Sequence, residues 1–166
     1  MKRLLSSVTP MLVVLGAVAI SAQGQLPTRK AGLWESTISG TSSLAAEGGT
    51  LKHCIDAETD RAAMTGALSA KTCQQGPVVK TAAGYEVEAT CKVGEMTSKS
   101  KSIVTGDFNS KVTVNVTSHI STGSGPAKES KTTIEARYIG PCEAGQKPGD
   151  VILPDGKVIR VPGGSE

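Results

Sequence analysis

The segment 84–120 constrains the fold more than any other part of the chain, because its alternation of inward and outward residues runs through two turns. Tyr85, Val87, Ala89, Cys91 and Val93 fall on one face of a period-two pattern, and Glu86, Glu88, Thr90 and Lys92 on the other. That is the pattern of a half-buried strand. Gly94-Glu95 then supplies a two-residue connection with glycine first, the chemistry of a type II′ hairpin turn. The turn sets Cys91 opposite Ser98, Ala89 opposite Ser100, Val87 opposite Ser102 and Tyr85 opposite Val104. Lys99 and Lys101 are left on the outer face beside Glu86 and Glu88, where opposite charges attract.

Gly106-Asp107-Phe108-Asn109-Ser110 makes the next turn, after which Val112, Val114, Val116 and Ile120 share a face. Folding about Phe108 predicts Val104 against Val112 and Met96 against Ile120. Both turns bring one apolar row to one side, and this agreement between turn chemistry and pattern marks an antiparallel meander.

The amino end has Met1-Lys2-Arg3, an apolar run over 11–20, and then Ser21-Ala22-Gln23-Gly24. This reads as a secretory signal peptide over 1–22, with cleavage after Ala22 or Gly24. The run is shorter than the roughly 20 residues of a membrane span, so the processed chain is not expected to cross a membrane. About 144 residues remain, enough for one domain. Lys2 and Arg3 leave with the signal, so 18 basic residues become 16 against 15 acidic, and the formal charge falls from +3 to +1. That balance, with only Trp34, Tyr85, Phe108 and Tyr138 as aromatics, offers neither a basic footprint nor a stacking platform for nucleic acid.

A core with so few aromatics is thin, and exported domains of this kind are commonly stapled by disulfides. Residues 77–80 and 85–92 form two arms of a hairpin, and folding them about Ala82 puts Cys73 opposite Cys91. That leaves Cys54 for Cys142. A zinc site is the rival use of four cysteines, but no C-x-x-C pair occurs; no metal and no cofactor are expected.

Elsewhere, 30–39 alternates Trp34, Ser36 and Ile38 against Leu33, Glu35 and Thr37 and predicts a first strand, followed by a loop over 39–49. Residues 56–70 break the strand rhythm. Asp56 can cap, Glu58 and Asp60 suit a first turn, and Ala63, Met64, Ala67 and Leu68 form an apolar stripe, so one short helix is predicted, weakened by Gly66. After a loop over 122–129, Thr132, Ile134, Ala136 and Tyr138 alternate with Lys131, Thr133, Glu135 and Arg137 in a last long strand. The Gly- and Pro-rich tail, 143–166, carries a small hairpin around Pro154-Asp155-Gly156.

For catalysis, only His53 and His119 offer an imidazole. Both are expected as solvated surface histidines, and no nucleophile elbow, zinc-protease motif or phosphate loop accompanies them. No catalytic residue is assigned. One inner-face feature stands out: Ser98, Ser100 and Ser102 occupy positions where large apolar residues are expected. Small side chains there allow close approach of the helix, or line a narrow cavity with hydroxyls facing a ligand; a one-residue slip of register would instead turn the row outward.

Taken in order, Gly32-Leu33-Trp34-Glu35 at the start of the exported part, His53-Cys54-Ile55-Asp56 before the helix, Thr105 to Ser110 at the hairpin, and Gly140-Pro141-Cys142 followed by Gln146-Lys147-Pro148-Gly149-Asp150 are similar to the domain-of-unknown-function 3617 family of bacterial exported proteins. The resemblance spans nearly the whole processed chain and implies a Gram-negative periplasmic protein with a compact β-rich domain. It brings no catalytic residues with it. The expectation is an α+β, mainly β fold: a curved antiparallel meander sheet of about six strands over 25–142, packed on one short helix, with two disulfides. The function expected is a non-enzymatic binding or interaction module of the cell envelope, for an apolar small molecule or an envelope protein. A small hydrolase using His53 or His119, and a purely structural envelope protein, are the alternatives.

Overall fold

The computed structural model describes residues 24–41, 49–66 and 72–160. The expected signal peptide over 1–22 and the expected helix-stripe residues Ala67 and Leu68 lie outside them. The strands are β1 (Gly32–Gly40), β2 (Gly49–Ile55), β3 (Cys73–Gln75), β4 (Val79–Thr81), β5 (Gly84–Val93), β6 (Met96–Gly106), β7 (Lys111–Thr122), β8 (Lys128–Gly140), β9 (Asp150–Ile152) and β10 (Val158–Arg160), with one helix, α1 (Ala57–Gly66). All ten strands join one sheet in the order β10-β9-β2-β1-β8-β7-β6-β5-β3, with β4 also paired to β5. Every pairing is antiparallel. The six expected strands are present; the sheet adds β2, β3 and the tail hairpin β9–β10, which pairs with β2.

The β5–β6 hairpin has the register its turn demands, with Tyr85 opposite Val104 and Cys91 opposite Ser98. Gly94 takes a φ of 57° while Glu95 keeps the ordinary sign, as a type II′ turn requires. The β6–β7 register differs from expectation by two residues: Val104 faces Val114, Gly106 faces Val112 and Met96 faces Thr122. The turn is longer than a fold about Phe108 allows. The Asp107 carboxylate accepts the N–H groups of Asn109, Ser110 and Lys111, and Phe108 itself adopts a left-handed φ of 59°, which turns its ring inward against Tyr85. A slip of two leaves side-chain faces unchanged, so the inner row survives.

The core lies on that inner face at one end of the sheet, built from Trp34, Ile55, Val104, Phe108, Val112 and Ala136. Residues 24–30 form an arm across it: Gly24 N–H donates to the Val78 carbonyl at 3.0 Å and Lys30 N–H to the Phe108 carbonyl at 2.7 Å, with Leu26 packed on the cluster. The opposite face is solvated and laddered by ion pairs such as Lys101–Glu86 at 2.7 Å. Its β1–β2 end is the exception. There Leu33 and Cys54 are buried, Cys54 is bonded to Cys142, and Gly149 N–H donates to the Cys54 carbonyl. The second bridge, Cys73–Cys91, joins directly opposed residues of β3 and β5.

Helix α1 follows β2 without a connector. Asp56 is its cap, accepting N–H bonds from Glu58 and Thr59, while the Thr59 hydroxyl accepts the Asp56 N–H; such a cap is worth about 1 kcal/mol. Starting where β2 ends, the helix meets the sheet chiefly at β2. The arm, rather than the helix, reaches across to β4 and the β6–β7 turn.

Candidate functional site

The inner face carries three neighbouring features. The first is a buried ion pair that fastens the arm to the helix. Arg29 Nε and Nη2 both lie 2.8 Å from Asp60 Oδ1, and the Arg29 N–H donates to Oδ2 at 2.7 Å. Asp60 is 1% exposed. First-turn placement marks Asp60 as a helix-end carboxylate, but nothing in its spacing reveals a partner 31 residues upstream. The Arg29 guanidinium also stands 5.3 Å from the Trp34 ring centroid, and Lys30 Nζ 4.1 Å from that of Tyr138. Trp34 Nε1 donates to the Lys30 carbonyl. The arm is thus held by charge, ring faces and backbone together.

His53 lies beneath this pair, opposite Trp34 on one side and Val151 on the other. It is not the solvated histidine expected from sequence. Burial, reinforced by the Arg29 charge and opposed by Asp60, lowers its pKa to about 4, so the imidazole is neutral at ordinary pH. His119 does lie exposed on the outer face, opposite Lys99 and Glu129. Both oxygens of Asp60, the carboxylate acting on His53, are engaged by Arg29. The geometry therefore describes a fastening rather than a base held by an acid.

The second feature is an apolar cavity of about 150 Å³ between the arm, α1 and the β3–β4 segment. Leu26, Pro27, Met64 and Val78 supply its apolar wall, with Gln75 and Asp60 at the margin. Met64 belongs to the predicted helix stripe; the arm and Val78 carried no comparable signal, because their apolar residues are isolated in sequence.

The third feature is the serine row. Ser98, Ser100 and Ser102 share the inner face with Val104 and are half-buried. None of them lines the cavity. The two are nevertheless linked by register: Gln75 pairs with Ala89, and Ala89 with Ser100, so the cavity margin and the row stand two strand spacings apart, about 9–10 Å. The row continues through Ser118 to Ser130, which makes this part of the inner face small and hydroxyl-bearing.

Among the described residues, no group of His, Cys, Asp and Glu is arranged to hold a metal ion, and no helix is long and apolar enough to cross a membrane. Comparison with curated proteins and with solved structures returns no match. A family model described as "Protein of unknown function (DUF3617)" matches residues 29–142. The chain belongs to that family.

Proposed function

We propose that this protein is an exported, non-catalytic binding module of the bacterial envelope, working in the periplasm once residues 1–22 are removed, and that the inner face of its sheet receives an apolar group. The two formed disulfides support an oxidising, extracytoplasmic setting. The observation that carries the reading is the cavity beneath the arm. Its size selects among ligands. About 150 Å³ is room for a single ring or branched alkyl group, below the roughly 300–1,000 Å³ of pockets that enclose a whole small molecule. A protruding side chain of an envelope protein, or the tip of a larger apolar ligand, suits it better than a wholly enclosed small molecule. Ser98, Ser100 and Ser102 serve in this reading as the polar shelf beside the apolar hole, facing the rest of the ligand.

The test is titration with fluorobenzene, followed by the fluorine resonance of the probe. Saturable binding that is lost in Met64→Trp, with the far-ultraviolet spectrum retained, supports the reading. A probe that never saturates on the wild-type protein overturns it. Ser100→Leu separates the two parts of the face: it leaves fluorobenzene binding intact and abolishes a reproducible mass adduct found on the protein taken from its own periplasm.

A further inference from the structure

The two bridges hold different things. Cys54–Cys142 pins a tail over a part of the sheet where Cys54 is completely buried. Cys73–Cys91 lies at the edge of the sheet, between half-buried residues, and pins a strand of only three residues. Apart from the β3–β5 ladder itself, this edge is fixed by the Lys92 N–H bond to the Thr72 carbonyl and the Gly76 N–H bond to the Glu88 carbonyl. A three-residue edge strand is weakly held without a crosslink. The same short segment builds one side of the cavity. Strand β3 supplies Gln75 to its margin, and Val78, three residues on, supplies both an apolar wall and the carbonyl that receives the arm at Gly24. Bridge, cavity wall and arm form one mechanical series.

We propose that Cys73–Cys91 is a thiol-sensitive latch on the cavity, opened by a dithiol reductant such as a protein bearing a Cys-x-x-Cys pair. One reductant thiolate attacks a sulfur of the bridge, and the S–S bond breaks as a mixed disulfide forms. The displaced thiolate takes a proton. The second reductant thiol then resolves the mixed disulfide, leaving Cys73 and Cys91 as thiols and the reductant as a disulfide, with two electrons and two protons transferred. Released from β5, residues 72–78 move off the sheet edge, taking with them one wall of the cavity and the arm's outer anchor. The turn at β4 stays in place through the Thr81 hydroxyl, which bonds the Gly84 carbonyl and the Ala83 N–H. This inference deepens the binding reading by giving the cavity a control, and rests on it for that consequence alone.

The experiment is graded reduction of the native, oxidised protein with dithiothreitol, with alkylation and peptide mass mapping of each cysteine and amide exchange on the same samples. Expected is alkylation of Cys73 and Cys91 about tenfold faster than of Cys54 and Cys142, because both sulfurs of the first bridge belong to half-buried residues whereas Cys54 of the second is completely buried. The amides of Gly76 and Lys92 then exchange at least about tenfold faster, while Gly149, bonded to the Cys54 carbonyl, stays protected. Bridges that open together, Cys54–Cys142 opening first, or unchanged exchange at Gly76 and Lys92 overturns the latch. The double variant Cys73→Ser with Cys91→Ser is expected to show the fast-exchange state without reductant; should it fail to fold, the wild-type titration decides alone. Fluorobenzene that never binds the oxidised protein defeats the cavity reading, whereas the latch stands or falls on alkylation and exchange.

Discussion

Arg29 and Asp60 meet through three contacts of 2.7–2.8 Å, two from the guanidinium and one from the backbone. Arg29's side chain is 10% exposed and Asp60's 1%. Removing one partner of such a pair leaves an uncompensated buried charge. Asp60→Ala is therefore expected to cost about 3–5 kcal/mol, read from the urea midpoint. Because Trp34 is the single tryptophan and lies beneath Arg29, its emission should also shift red in the folded variant as the arm lifts. Glu86→Ala, which breaks an exposed pair with Lys101, should leave the midpoint nearly unchanged.

The half-buried His53 imidazole sets an acid limb. His53 titrates near pH 4 in the folded chain against 6.5 as a free side chain. Between those values the unfolded state binds more protons, so this contribution to stability is complete above pH 6.5 and is lost as pH falls toward 4. The loss amounts to about 3 kcal/mol. His53→Gln should flatten that part of the stability profile; a limb of equal slope in the variant assigns it to other groups.

Two glycines separate space from backbone conformation. Gly106 has a φ of 130°, and a Cβ there meets the Lys111 carbonyl oxygen; Gly94 has a φ of 57° with nothing within 4 Å. Gly106→Ala is expected to cost about 2 kcal/mol or more, and Gly94→Ala about 1–2 kcal/mol. Thermal midpoints of the two variants check the order, and equal losses show that the carbonyl gives way.

Removing the Cys54–Cys142 bridge with Cys54→Ser and Cys142→Ser frees the tail from the outer face. The chain-entropy model gives a loss of about 4–5 kcal/mol for a loop of this length, measured by denaturant titration. Faster exchange at Gly149 should accompany it.

The meander was legible because its evidence is local. Gly94-Glu95 names its own turn, and the alternation on both sides agrees with it. Cys73–Cys91 was legible for the same reason, since a hairpin about Ala82 brings the two together. Strand β2 was hidden: Leu51, His53 and Ile55 face inward, but Cys54 and Leu33 are buried on the other face too, so alternation fades where the tail covers the sheet. The turn after β6 misled through Phe108, a bulky residue in a conformation usually left to glycine. Three amide bonds to Asp107 and a buried ring offset that strain. Of the candidate site, Met64 and the serine row could be read from periodicity. The arm could not. Leu26, Pro27 and Arg29 gain meaning only from Asp60, Trp34 and Val78, contacts between distant parts of the chain that no spacing rule anticipates. The setting of His53 is hidden for the same reason, because the Arg29 and Asp60 charges that act on it come from the arm and the helix.

Strand β1 lies between β2 and β8, so one of its neighbours is close in sequence and the other nearly at the far end. Cys54 likewise waits 88 residues for Cys142. A chain delivered amino end first can complete its successive hairpins from β5 to β7 as they emerge, while the β8-facing edge of β1 stays open beside Trp34. Docking of β8 then covers that edge and brings Cys142 within reach of Cys54. The topology makes the first strand wait for a late one, and a chain cut short before β8 lacks Ala136 and leaves the core open beside Trp34.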